Sequence, residues 1–137
     1  MTMKHMITRK QVYYWASTGA AAVALTAIGV ADVVRVPAVV QGLTHLGYPA
    51  YVATMLGVAK LLAVAAIVTP GHRRVKEWAY AGLSFVLTGA AISHTVSGDP
   101  VGNILVPVVL LAVVMASWAQ APIADRQHVH SAVRHAA

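Results

Sequence analysis

The sequence predicts an all-α integral membrane protein, built as a four-helix bundle with a short interfacial helix between its first and second crossings. Hydrophobic residues make up 58% of its 137 residues, and charged residues make up only 10%. A soluble domain of this size needs more polar side chains to cover its surface. At about 20 residues per crossing, the length allows at most four or five helices with short connections, and no separate catalytic domain.

Four long apolar segments mark the expected crossings. They cover about 13–34, 50–68, 78–95 and 101–119. Together they form one predicted membrane domain, residues 13–120. A basic segment at 1–12 precedes this domain, and a polar, flexible tail at 121–137 follows it.

The basic residues predict how the helices are oriented, because Lys and Arg collect in cytoplasmic loops. They are concentrated in three places: the N-terminus (Lys4, Arg9, Lys10), the turn between the second and third crossings (Arg73, Arg74, Lys76) and the tail (Arg126, Arg134). The other two connections hold only Arg35. We therefore expect both termini in the cytoplasm of a multi-pass inner-membrane protein. This topology explains the net charge of +6 better than a nucleic-acid partner does.

The segment between Pro37 and Pro49 predicts a helix that lies in the membrane interface. Apolar residues fall on one side of this helix and polar residues on the other: Val39, Val40, Leu43 and Leu46 against Gln41, Thr44 and His45. Two interpretations remain open here. The helix is either a lid over the outer end of the bundle or a plain amphipathic connector.

Lys60 is the residue that most strongly suggests a functional site. It lies inside the second crossing, nine residues before Thr69, which is roughly 13 Å along a helix axis. A lysine side chain reaches only part of that distance, so its ammonium is expected inside the bundle, where ionisable groups commonly mark function. Directed outward, Lys60 would approach Asp32, Ser93 or His94; directed inward, it would approach Glu77.

Polar side chains near the outer end provide the remaining candidates. As a histidine, His94 can donate or accept a proton. With Lys60 and the carboxylates of Asp32 and Asp99, it forms the candidate catalytic set. The candidate ligand-binding residues are His45, Arg35 and Ser93. Asp32 and Arg35 are three residues apart on one helix face and can also pair with each other.

The inner end carries charges with a simpler explanation. Glu77 lies beside Arg73, Arg74 and Lys76 at the start of the third crossing, which predicts an ion network in the interface. The tail contains the pair His128 and His130, with His135 further along. Because no third ligand follows the pair at a fixed spacing, no metal site is predicted. His45 and His94 are the only histidines expected near each other, which argues against bis-histidine haem. The chain has no cysteine, so any redox role requires a bound cofactor or another subunit.

Four motifs resemble the DoxX-like family of small four-helix bacterial membrane proteins. They are GLTHLGYP at 42–49, LGVAKLL at 56–62, KEWAYAG at 76–82, and GAAISH at 89–94 followed by Gly98 and Asp99. Relatives named DoxX and DoxD are associated with thiosulfate:quinone oxidoreductase, a terminal quinol oxidase and complexes that relieve oxidative stress. The positions that match the family pattern are His45, Lys60, Glu77, His94 and Asp99.

The resemblance and the polar residues support three functional hypotheses. The leading one is an inner-membrane subunit, alone or as a homo-oligomer, that binds a quinone or similar lipophilic molecule and supports a redox partner. The second is a membrane isomerase, cyclase or hydrolase in which Lys60 or His94 is the acid and Asp32 or Asp99 its partner. The third is a scaffold whose polar residues only join helices.

Overall fold

The computed structural model describes the backbone of residues 9–135 and the side chains of Arg9 and residues 11–121. The predicted basic segment up to residue 8, the side chain of Lys10 and the tail residues Arg126, His128, His130, Arg134 and His135 lie outside the described backbone or side chains. Five helices follow one another along the chain: α1 Arg9–Val33, α2 Pro37–His45, α3 Tyr51–Val68, α4 Arg73–Val96 and α5 Val101–His135.

The four long helices form the predicted all-α bundle, and within the described residues each is long and apolar enough to cross a membrane. Around the bundle the order is α1, α3, α4, α5, and α5 closes the ring against α1. Large apolar side chains such as Leu62 and Phe85 are exposed on the outside, as expected of a surface that faces lipid. The short helix α2 packs against α1 and α3 at one end of the bundle, which we call the α2 end.

Two glycines allow α1 and α3 to approach closely. A Cβ atom added to Gly57 would lie 2.6 Å from the carbonyl oxygen of Gly29 and 2.8 Å from Cβ of Asp32. A Cβ atom added to Gly29 would lie 3.1 Å from the Leu61 side chain. Backbone therefore meets backbone at this crossing, the arrangement that small residues permit in membrane helices. The crossing also fixes the depth of Asp32 relative to α3.

The half of the bundle away from α2 has a buried core with a hydroxyl cluster. Leu25, Leu83 and Val114 belong to its apolar part. Next to them, Ser117 Oγ is 2.6 Å from Thr18 Oγ1 and 2.7 Å from Tyr80 Oη. Hydroxyl groups buried in a membrane bundle need such partners. The cluster joins α1, α4 and α5.

Three helices finish at the α2 end with the same backbone motif. In each, a residue with positive φ follows the helix, and two N–H groups fold back onto carbonyls of the last turn, as in a Schellman motif. The positive-φ residues are Arg35 (φ 54°), Gly47 (φ 87°) and Gly98 (φ 71°). A proline stands two positions after each one, at Pro37, Pro49 and Pro100. These turns set the direction in which the next residues enter the site.

The long helices extend beyond the apolar segments that the sequence analysis assigns to crossings. α4 begins at Arg73, so the basic cluster before residue 78 forms its first turns. The backbone of α5 is helical as far as His135 and passes through the stretch assigned to a flexible tail after residue 120. Both helix ends are polar and can continue past the hydrocarbon core, because about 20 residues suffice to cross it. The helices can therefore be longer than the crossings assigned to 78–95 and 101–119.

We expect Gly57→Ala to destabilise the bundle, because the new methyl group would meet the backbone of Gly29 and neither helix can yield locally. Overpacking of this kind costs about 1–3 kcal/mol. The measurement is the thermal unfolding midpoint in detergent. The matched control is Gly82→Ala in α4, where an added Cβ meets nothing within 4 Å. Equal midpoints for the two variants would contradict the proposed close approach.

Candidate functional site

Two cavities lie in the half of the bundle near α2. One, of about 370 Å³, has walls from α1, α3, α4 and α5, including Ile28, Val106 and Pro107. The other, of about 290 Å³, lies beneath α2 and includes Leu43, Leu46 and Leu56. Most of their walls are apolar. Four residues belong to both cavities, namely Lys60, Leu87, Ala90 and His94.

Lys60 forms a buried ion pair with Asp32. Its Nζ atom is 2.6 Å from Oδ2 of Asp32, and the two side chains are 12% and 6% exposed. The direction of Lys60 follows from helix geometry, because side chains tilt toward the N-terminus of their helix. The N-terminus of α3 is at the α2 end, so the ammonium is directed toward Asp32 rather than toward Glu77. Of the two directions considered from the sequence, the structure has the one toward Asp32.

The pairing of Asp32 with Arg35, considered from their spacing, does not occur. The helix ends at Val33, and Arg35 turns away with its positive φ. Its Nε atom instead donates to Thr54 Oγ1 on α3 at 2.9 Å. A spacing of three residues brings side chains together only while the helix continues. Arg35 therefore joins α1 to α3 near the surface, and neither cavity includes it in its walls.

Asp99 holds two histidines from different helices. Its Oδ2 atom is 2.6 Å from Nδ1 of His94, and its Oδ1 atom is 2.7 Å from Nε2 of His45. The turn after α4 creates this arrangement, since the N–H of Asp99 donates to the His94 carbonyl at 3.0 Å. The hydrogen bond to His94, and next the one to His45, lowers the pKa of Asp99 below its ordinary value of 3.8.

The bond to Asp99 also determines which part of His94 faces a ligand. An ionised carboxylate accepts hydrogen bonds, so Nδ1 of His94 carries the proton that this contact needs. Nε2 is then the ring nitrogen left for the cavities that His94 lines. This is the arrangement in which a carboxylate fixes the tautomer of a functional imidazole.

A second contact ties the turn after α2 to α4. The hydroxyl groups of Tyr48 and Ser93 are 2.9 Å apart. Tyr48 is placed by the turn at Gly47, because its N–H folds back to the Leu43 carbonyl at 2.9 Å. With the His45–Asp99 contact, this makes two side-chain bonds between the α2 region and the end of α4. The helix α2 thus lies over the smaller cavity.

The predicted ion network at the opposite end lies apart from the two cavities. Arg73 Nε and Glu77 Oε1 are 3.1 Å apart on the exposed first turns of α4. Arg74 is exposed and lines a separate surface recess with Glu77 and Trp78. Lys76 is buried. These residues serve the far end of the bundle and not the cavities.

The structure brings together six of the seven candidate residues proposed for chemistry or ligand binding, in three pairs or groups: Lys60 with Asp32, His94 with Asp99 and His45, and Ser93 with Tyr48. Two contributors were not among the sequence candidates. Tyr48 could have been found from the repeated pattern of glycine, one residue and proline, which stands at 47–49 and at 98–100. Asn103 lines the larger cavity, and no sequence signal distinguishes it.

Within the described part of the chain, no three His, Asp or Glu side chains converge as a metal site would require. The two histidines beside Asp99 each contact a different carboxylate oxygen. One ring nitrogen of each histidine is therefore committed to a hydrogen bond with that carboxylate. The chemistry of this group is that of proton donors and acceptors.

Comparison with known families agrees with this architecture. Residues 16–117 match the family model described as the DoxX-like family. The chain belongs to the DoxX-like family. The matched region overlaps all four apolar crossings and contains the lining residues of both cavities. No curated protein and no solved structure matches this DoxX-like chain.

We expect Lys60→Met to destabilise the bundle strongly, because it leaves the Asp32 carboxylate buried without its partner. Breaking a buried pair from one side typically costs about 3–5 kcal/mol. The double variant Asp32→Asn/Lys60→Met should recover much of that loss, since it buries no unpaired charge. Denaturant or thermal unfolding of the single and double variants provides the measurement. A double variant no more stable than Lys60→Met would contradict a charge-pairing role.

The pH dependence of stability should report the Asp99 contacts. A carboxylate whose pKa is lower in the folded than in the unfolded protein stabilises the fold above its ordinary pKa. That contribution is lost as the pH falls from 3.8 through the lower folded value. Asp99→Asn should therefore show a smaller drop in unfolding midpoint between pH 5 and pH 2 than the native protein does. Identical acid profiles would show that these contacts do not stabilise the fold.

Proposed function

We propose that this DoxX-like protein binds a quinone or a similar lipophilic carbonyl compound in the cavities around Lys60 and His94. One observation carries the proposal: the ammonium of Lys60 and the imidazole of His94 lie on walls shared by two apolar cavities. Ligand sites in proteins typically combine an apolar cavity with a few placed polar groups. Donor groups select ligands that present acceptor oxygen atoms, and quinone carbonyls are such acceptors.

The residues present fit a quinone in chemistry and in size. The Lys60 ammonium has three N–H groups, and its described hydrogen-bond partner is Asp32 alone. His94 offers Nε2, and its other ring nitrogen is oriented by Asp99. Apolar walls from Leu87, Val106 and Pro107 suit a ring and the start of an isoprenoid chain. The volumes of about 370 and 290 Å³ fall near the lower part of the range for small-molecule sites.

In this proposal the quinone supplies the electron-transfer chemistry, and the chain's own residues bind and orient it. Lys60 and His94 hold the head group, and His94 can hold or release one proton at Nε2. Apolar walls exclude water from the head group. Because the chain has no cysteine, we propose that electrons are exchanged with a partner subunit. We further propose that both termini face the cytoplasm, as the distribution of Lys and Arg predicts.

A second candidate function rests on the carboxylate partners. Each candidate acid has its own, with Lys60 against Asp32 and His94 against Asp99. This is the arrangement of an oriented general acid or base, as used by isomerases, cyclases and hydrolases. The substrate would be a lipophilic intermediate that enters from the bilayer. A coding sequence next to biosynthetic genes would favour this candidate, and one next to an oxidoreductase or dismutase gene would favour the redox role.

Binding of decylubiquinone to the purified protein tests the leading proposal. We expect saturable binding by isothermal titration calorimetry, and a loss of affinity of about tenfold or more in His94→Ala, as for removal of one hydrogen bond to a buried polar group. Asp32→Asn/Lys60→Met should lose affinity similarly while keeping a balanced interior. Glu77→Gln, at the opposite end, is the matched control and should bind as the native protein does. Equal affinity in all four proteins would remove the proposal.

A further inference from the structure

The group of His45, Asp99 and His94 links the cavities to the surface of the molecule. The His45 side chain is 58% exposed, Asp99 is 8% exposed, and His94 is 24% exposed and lines both cavities. One carboxylate thus lies between an imidazole exposed on the surface of the molecule and an imidazole on the cavity walls. The proposed function uses His94 directly and gives no role to His45.

We propose that His45 is a positioning residue that acts through Asp99 on His94, so that protonation of the ligand site responds to aqueous pH at the α2 end. The effect on ligand binding rests on the proposed function. The coupling itself concerns only the three side chains and can be measured without a ligand.

His45 and His94 interact electrostatically through Asp99. An ionised carboxylate favours the charged form of an imidazole in hydrogen-bond contact with it. Asp99 has one negative charge and two such imidazoles, at 2.6 and 2.7 Å. When His45 is protonated, it neutralises most of that charge and repels a second proton on His94. When His45 is neutral, the full charge of Asp99 acts on His94, so the charge state of each imidazole affects the other.

The other groups that face His94 do not replace this coupling. From α3 and α1, Lys60 and Asp32 line the same cavity as His94, but they pair with each other at 2.6 Å. From the turn after α2, Tyr48 bonds to Ser93. From α5, Asn103 lines the larger cavity and is uncharged. Asp99 is therefore the net charge nearest to His94, and His45 is the group that modulates it.

The functional consequence follows from the ligand class. A protonated His94 donates Nε2–H to a carbonyl oxygen, whereas a neutral His94 with its proton on Nδ1 does not. Binding of a carbonyl ligand would then take up a proton. Through its contact with Asp99, the exposed His45 would set the pH at which Nε2 of His94 changes from a hydrogen-bond donor to a non-donor.

Two substitutions should move the titration of His94 in opposite directions. His45→Gln keeps an N–H donor for Asp99 but cannot be protonated, so the measured midpoint of the His94 titration should rise. Asp99→Asn removes the charge, so the midpoint should fall. The measurement is ¹⁵N NMR of the histidine rings in detergent, with no ligand present. His72→Gln, an exposed histidine at the opposite end, is the matched control and should leave the midpoint unchanged.

Decylubiquinone affinity measured across the same pH range separates this inference from the proposed function. If the ring titrations shift as expected and the affinity curve shifts with them, both are supported. If the rings shift but decylubiquinone does not bind, the coupling stands and the quinone proposal fails. If His45→Gln and Asp99→Asn leave the His94 titration unchanged, or move it in the same direction, the coupling is overturned whatever the binding result.

Discussion

The ion pair between Lys60 and Asp32 is the interaction on which the arrangement of the site depends. Two charges in a membrane interior are tolerated only when they compensate each other. At 2.6 Å the pair joins α1 to α3 one turn away from the point where Gly29 and Gly57 let the helices touch. The glycines set the distance between the helices, and the charges set their register. The head of Lys60 is thereby kept in the half of the bundle that contains the cavities.

The two halves of the bundle differ in how they satisfy their polar groups. In the half away from α2, Thr18, Tyr80 and Ser117 form a closed hydroxyl cluster within the core. Near α2, the polar groups Lys60 and His94 lie on cavity walls, and each contacts a carboxylate, that of Asp32 or Asp99. A half whose buried hydroxyl groups bond to one another is expected to be rigid. A half with cavities and polar groups on their walls can accept a ligand. The separation of these tasks along the membrane normal supports the assignment of the site to the α2 end.

Much of the fold could be predicted from the sequence, because bilayer thickness and apolar runs leave few alternatives. The four crossings and the interfacial helix follow from those runs and from Pro37 and Pro49. The pairings inside the site could not be predicted to the same extent. Spacing suggested a pair between Asp32 and Arg35, but the helix ends between them. The choice of Asp32 by Lys60 depends on side-chain tilt and on the glycine crossing, which are tertiary properties.

The turns at the α2 end show why some functional residues escaped sequence reasoning. A glycine followed two positions later by proline predicts the end of a helix. It does not predict that two such turns face each other and join through Tyr48–Ser93 and His45–Asp99 contacts. Arg35 adopts the same turn without glycine, at φ 54°, in a conformation that disfavours most side chains. Its hydrogen bond to Thr54 offsets part of that cost.

The central claim is that a lipophilic carbonyl ligand places its head group between Lys60 and His94. Photo-crosslinking with a decylubiquinone analogue that carries a diazirine on its ring, followed by peptide mass spectrometry, tests this claim most directly. The account predicts adducts on the cavity walls of α4 and α5, within residues 86–94 and 103–110. Labelling concentrated at the opposite end of the bundle, around Arg74–Ala81, or labelling unaffected by an excess of unmodified decylubiquinone, would contradict it.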